Sequence, residues 1–137
     1  MEQGAYFKYV RLSLPFSEAE IRLRSALQDE SFAVITEIDF QEKIKAKLGV
    51  EFTPYLVLGA CLPASAHKAL RAEANIGLLL PCNALVKYIS DDETEIAVID
   101  PMISMQSVKN ADLRCVADEV RAKLIKVMMR IEGTFEE

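Results

Sequence analysis

The chain has 137 residues, of which 51% are hydrophobic, and its formal net charge at neutral pH is −5. Its 16 lysines and arginines are scattered, with Lys43, Lys45 and Lys47 as the densest group, so it lacks the basic surface that nucleic-acid-binding proteins use to neutralise phosphates. No apolar run approaches the roughly 20 residues of a membrane-spanning helix. The N-terminus also lacks a signal-peptide pattern. We therefore expect a cytoplasmic protein with no nucleic-acid or membrane partner, folded as one domain over residues 1–137 with frayed ends at 1–4 and 134–137.

The first strand and helix are predicted from two different periodicities. Residues 6–14 alternate as a strand does, whereas residues 15–32 repeat at helical spacing. Ser17 and Glu20 match a capping box, and Phe16 and Ile21 are spaced as a hydrophobic staple. The buried stripe of this helix is predicted to comprise Ala19, Leu23, Ala26 and Leu27.

A second strand and a short helix follow. Residues 32–40 are rich in β-branched side chains, which favours a strand. Asp39, with Glu42 three residues later, is expected to cap a helix that ends before Gly49. Ile44 and Leu48 are expected to face inward from this helix.

The middle of the chain predicts a strand, a helix and a longer strand. Residues 54–61 are apolar enough for a central strand, and Pro63 suits the first position of a helix ending near residues 74–75. Residues 76–90 read as one long strand in which Pro81 marks a bulge or an edge, because proline cannot donate to the sheet.

The last third predicts a hairpin and a long helix. Residues 95–100 are predicted to form a strand that pairs with the preceding one after a turn at 91–94. Asp100 with Pro101 then starts a short helical segment. A helix is predicted over residues 111–131, with Gly133 as its stop. The element order favours an α+β fold: one mixed, mainly antiparallel sheet with helices packed mostly on one face and a long C-terminal helix.

Two of the three cysteines lie where irregular structure is predicted. Cys61 ends a strand just before the helix that starts at Pro63, where a helix start favours a thiolate and lowers the thiol pKa. Cys82 follows Pro81 and could approach Cys61 if the two strands are neighbours. The alternative is that both are small buried hydrophobic residues. Cys115 lies off the apolar stripe of the last helix.

Three further residues could assist such a site. His67 is the single histidine, a residue type that ordinarily titrates near neutrality, and it could act as a base, although a histidine on the exposed side of a helix is the commoner case. Glu37 and Asp39 point the same way on a strand and could do acid–base work, or they could be a solvated residue and a helix cap. Cys61, Cys82 and His67 make three ligands rather than the four of a structural zinc site, so we expect no metal centre.

Three segments of the chain carry a resemblance to a known family: TEID, LGAC with the following proline, and IGLLLPC. Together they resemble the bacterial and archaeal family called domain of unknown function 302. The resemblance implies a compact α+β domain that forms homodimers and has no established activity. The family usually carries asparagine where this chain has Leu62, which cannot cap a helix. The positions that match the family pattern are Glu37, Asp39, Cys61, Pro63, Ala66, Gly77, Pro81 and Cys82.

Three functions stay open on these observations. The first is a small-ligand or thiol-dependent binding or accessory module with its site around Cys61 and Cys82, which could take a small molecule or a metal. The second is an enzyme that uses Cys61 as nucleophile with His67 or Glu37 as base. The third is a structural homodimer without a small-molecule site, favoured by the high hydrophobic content. The sequence identifies no cofactor.

Overall fold

The computed structural model describes residues 1–133, which form one six-stranded sheet and five α-helices. The strands are β1 (Glu2–Gln3), β2 (Phe7–Leu12), β3 (Ala33–Asp39), β4 (Tyr55–Cys61), β5 (Cys82–Ser90) and β6 (Glu93–Ile99). The helices are α1 (Phe16–Asp29), α2 (Phe40–Leu48), α3 (Pro63–Ala72), α4 (Pro101–Ser104) and α5 (Ala111–Glu132), with a 3-10 helix at Ile76–Leu79. The predicted α+β class with its long C-terminal helix is confirmed.

The strands lie in the order β1-β2-β6-β5-β4-β3, and all neighbouring pairs within residues 1–133 are antiparallel. The predicted hairpin between β5 and β6 is confirmed. Near the first residue, Glu2–Gln3 pairs with β2, so part of the segment that we expected to fray is in the sheet. The expected fraying of residues 134–137 lies outside the described residues.

Helices α1 and α5 cover one face of the sheet. Because strand side chains alternate between faces, every second residue of the central strands points towards these helices. The resulting core includes Leu58, Val86 and Ile96, which are fully buried. From α1 it receives the stripe predicted from the sequence, namely Ala19, Leu23, Ala26 and Leu27.

The start of α1 differs from the prediction. The helix begins at Phe16 after Pro15, and no side chain caps it, so the capping box of Ser17 and Glu20 is wrong. Glu20 instead accepts a hydrogen bond from Arg24 at 3.0 Å. The hydrophobic staple is also wrong, because Ile21 is 68% exposed.

Helix α2 has the predicted ends but not the predicted packing. Asp39 accepts a hydrogen bond from the Glu42 amide at 3.0 Å, and Gly49 ends the helix with a φ of 65°. No residue of α2 is fully buried, and Leu48, which we expected to face inward, is 72% exposed. The helix therefore lies at the margin of the core.

The long strand predicted over residues 76–90 is wrong in its first third. Ile76–Leu79 forms a 3-10 helix, and β5 begins only at Cys82, so Pro81 precedes the strand rather than interrupting it. Ile76 is buried against α5 instead of entering the sheet. Gly59 permits this arrangement, because a Cβ there would lie 2.6 Å from the ring of Pro81. None of the helices within residues 1–133 is long and apolar enough to cross a membrane.

Candidate functional site

A cavity of about 220 Å³ lies where the ends of β4 and β5 meet α3, α4 and α5. Its wall is almost entirely apolar, and none of the residues that line it carries a charged side chain. The polar or polarisable side chains in the wall are Cys61, Ser65, Cys82 and Met105. The site is therefore an uncharged apolar pocket with a few heteroatoms.

Local sequence explains why space remains here. Pro63 occupies the first turn of α3, where the missing N–H costs nothing. The side chains that α3 and α5 present to the cavity include the small residues Ala66, Ala69 and Ala117. Small side chains on two packed helices leave a volume that larger ones would fill.

The two cysteines that the sequence singled out both border this cavity. Cys82 is buried, with 6% of its surface exposed, and Cys61 is half-buried. In the β4–β5 register Cys82 lies opposite Ala60, the residue before Cys61. The strands are therefore neighbours, as the sequence analysis required for the two thiols to approach each other. Cys115 lies exposed on α5 and is not part of the wall.

Both thiols are harder to ionise than an exposed cysteine. Burial raises the pKa of Cys61. Burial, together with the charge that Cys61 would carry, raises the pKa of Cys82 to about 11. The expectation that the helix start would lower the pKa of Cys61 is wrong, because loss of solvent around the thiolate raises it. At neutral pH both groups are neutral thiols.

The other three candidate residues lie outside the cavity wall. His67 is exposed on α3, two residues from each of the inward-facing Ser65 and Ala69. Glu37 forms an ion pair with Arg24 of α1 at 2.5 Å, and Asp39 caps α2. Within residues 1–133 no hydrogen bond joins any of them to either thiol, so the structure brings together the cysteines and not the proposed bases.

Ser65 belongs to the wall and was missed in the sequence analysis. It is 3% exposed and lines the cavity. Its position four residues before Ala69 places both on the inner face of α3. That spacing was visible in the sequence, but serine early in a helix is too common to mark a site.

The side chains of the described residues do not support a metal centre. No cluster of three or more histidine, cysteine or carboxylate side chains in the described part of the chain could hold an ion.

Two of three comparisons with known proteins found matches. The model of the family "Domain of unknown function DUF302" matches residues 8–131. The crystal structure of an uncharacterized conserved protein DUF302 from Bacillus stearothermophilus is similar, with a TM-score of 0.83 and 26% identity, over 93% of this chain and 99% of that chain. No curated protein matches the chain.

Proposed function

The chain belongs to the DUF302 family, and we propose that it is a binding module for a small, uncharged and mainly apolar ligand held beside Cys61 and Cys82. The cavity of about 220 Å³ between the sheet and α3 and α5 is the observation that carries this proposal. An apolar cavity of about 150 Å³ in another protein is large enough for benzene, whereas drug-sized ligands occupy about 300–1,000 Å³. The size therefore suits a ligand of about ten non-hydrogen atoms.

The electrostatics of the wall support an uncharged ligand. A buried ion needs a partner of opposite charge or several hydrogen bonds, and the lining residues offer no charged group. The thiols are neutral at physiological pH because burial raises the pKa of both. An apolar molecule gives up no hydrogen bonds to water when it enters this cavity, and it gains about 25 cal/mol for each Å² of surface that it buries, offset by the freedom of motion that it loses.

Two of the residues that line the cavity are exposed at the protein surface and mark a way in for a ligand. Ile35 and Leu70 line it and are also among the exposed large hydrophobic residues. A ligand could enter between β3 and α3 at these two side chains, with half-buried Cys61 near the entrance and buried Cys82 deeper. The two thiols thus give a chemical readout of whether the cavity is occupied.

Thiol alkylation in the presence of toluene tests the proposal. Toluene that fills the cavity is expected to slow alkylation of Cys61 and Cys82 by iodoacetamide at least about threefold at saturation, as measured by peptide mass spectrometry. Exposed Cys115 is the internal control and keeps its rate. Equal slowing of all three cysteines, or of none, would refute the proposal.

A homodimer through the sheet is a second candidate, favoured by the face that α1 and α5 leave open. That face carries half-buried apolar side chains on three strands, among them Phe7, Val57 and Leu85. Its buried Glu95 is paired with Arg11 at 3.2 Å and Lys87 at 2.9 Å, so its charges are balanced locally. A large apolar surface with balanced charge suits a second copy of the same face.

A cysteine-dependent enzyme gains no support from this geometry. Such an enzyme needs an ionisable nucleophile within hydrogen-bond reach of a base. Burial raises the pKa of Cys61, His67 is exposed on another side of α3, and Glu37 is held by Arg24. We therefore prefer ligand binding to catalysis.

A further inference from the structure

A second cavity adjoins the one beside the thiols. It has a volume of about 280 Å³ and lies between α4, the residues that follow α4, and the first turns of α5. The two cavities have two wall residues in common, Met105 and Ala117. Both residues are buried, with 6% and 2% of their surface exposed. The cavities are therefore neighbours that these two side chains separate.

The partition between the cavities consists mainly of one flexible side chain. Ala117 contributes only a methyl group, so Met105 forms most of the barrier. Methionine is unbranched and has three rotatable bonds, so it adapts its shape to what lies beside it. Met105 also lies at the C-terminal end of the short helix α4 rather than inside a helix. A change of its rotamer is enough to join the two cavities.

The two cavities differ in polarity. The first has no charged side chain in its wall, whereas the second is lined by Gln106 and Arg114 together with apolar residues. Arg114 is exposed and takes part in no ion pair within residues 1–133. A guanidinium offers a planar fork of N–H donors that matches the two oxygens of a carboxylate. The joined cavities are therefore apolar at one end and cationic at the other.

We infer that the ligand is a medium-chain alkyl carboxylate, with its chain in the first cavity and its carboxylate beyond Met105, against Arg114. The inference rests on the proposed ligand-binding function and adds the class of the whole ligand to it. The part held beside Cys61 and Cys82 is uncharged and apolar, as that function requires, and the charge lies in the second cavity. The opposite orientation is disfavoured, because it would bury the carboxylate without a partner of opposite charge.

Octanoate and octan-1-ol are the probes that test this, because they share an alkyl chain and differ in charge. Their dissociation constants are measured by NMR titration on the unaltered protein, on Arg114→Gln and on the control Arg71→Gln. The control removes the same charge from an exposed position on α3 that lines neither cavity. Arg114→Gln is expected to weaken octanoate binding about three- to fivefold, the effect of losing one solvent-accessible ion pair. It should leave octan-1-ol binding unchanged, and Arg71→Gln should leave the binding of both probes unchanged.

Nuclear Overhauser contacts on the unaltered protein test the orientation without any substitution. In a complex saturated with octanoate, the methylene next to the carboxylate should contact the δ-protons of Arg114. The terminal methyl should contact Val116, which lines the first cavity and not the second. The reverse pattern, with the terminal methyl at Arg114, would contradict the inference.

The outcomes separate this inference from the proposed function, because toluene needs only the first cavity. Toluene binding without octanoate binding would overturn the carboxylate ligand and leave the cavity-binding function standing. Octanoate binding that ignores Arg114→Gln, or that Arg71→Gln weakens equally, would have the same consequence. Failure of toluene, octanoate and octan-1-ol to bind the unaltered protein would overturn both.

Discussion

At the scale of single residues, Cys61 and Cys82 show how burial raises the pKa of a thiol. The sequence correctly predicts that Cys61 ends β4 just before α3. Whether a thiol ionises depends also on how much solvent surrounds it, and residues far away in sequence determine that. Val116 and Ala117 of α5 help to close the cavity over the thiols, and no local pattern at residues 61 or 82 could reveal this.

The raised pKa of Cys82 predicts a specific dependence of stability on pH. Its folded pKa of about 11 lies above the ordinary value of 9.0, so the folded state holds this proton over a range in which the unfolded chain releases it. The stabilisation that the folded protein gains from holding this proton is complete below about pH 9 and is lost as pH rises towards 11. In urea titrations the free energy of unfolding should fall more steeply over this range for the unaltered protein than for Cys82→Ala.

The exposed Cys115→Ala variant provides the matched control, because it removes a thiol outside the cavity. Its dependence on pH should parallel that of the unaltered protein. Parallel curves for Cys82→Ala as well would contradict the assigned effect of burial.

At the scale of elements, residues whose roles are set within one helix were predictable. The stripe of α1, the Asp39 cap of α2, and Gly133 after α5 all follow from spacing and backbone chemistry. Residues 76–80 were not predictable, because Ile76 and the leucines after it are compatible with a strand or a short helix. Contact of Ile76 with the packed pair α3 and α5 decides between them.

Asn110 connects two elements of the cavity wall and predicts a measurable stabilisation. Its side-chain oxygen accepts from the amides of Asp112 at 3.0 Å and Leu113 at 3.3 Å, which caps α5. Its amide group donates to the carbonyl of Ala72 at 2.8 Å, at the end of α3. Asn110→Ala should lower the free energy of unfolding by about 1–2 kcal/mol, measured by chemical denaturation.

Asn75→Ala is the control for this substitution, because Asn75 is exposed and its side chain caps nothing at the following 3-10 helix. Asn75→Ala should lower the free energy of unfolding by less than about 0.5 kcal/mol. Equal losses for the two variants would show that Asn110 does not join α3 to α5 in the way that the structure indicates.

At the scale of the whole molecule, the sheet has a covered face and an open face. Helices on one side were predicted from the order of the elements, with a hairpin near the end and crossovers between the earlier strands. The sequence could not predict the cavity, since that volume depends on how α3, α4 and α5 pack at the ends of β4 and β5. Ser65 was missed for the same reason: nothing near it in sequence shows that it faces a void.

We predict that two copies of the chain pair through the open face of the sheet, and that one charge introduced there dissociates them. Leu85→Glu places a carboxylate among half-buried apolar residues of that face, so we expect sedimentation at micromolar concentration to show dimers for the unaltered protein and monomers for this variant. Ile21→Glu makes the same kind of change at an exposed position on α1 and should leave the dimer intact. A monomeric unaltered protein, or equal effects of the two variants, would refute this interface.

The most direct test of the central claim is an NMR titration with toluene, following backbone amides around the cavity. We expect saturable binding with a dissociation constant of about 1 mM or tighter, which corresponds to about −4 kcal/mol for seven non-hydrogen atoms. Ala66→Phe should abolish it by filling the cavity, whereas Ala64→Phe, on the exposed side of the same helix, should not. Absence of saturable binding to the unaltered protein, or equal binding by both variants, would contradict the account.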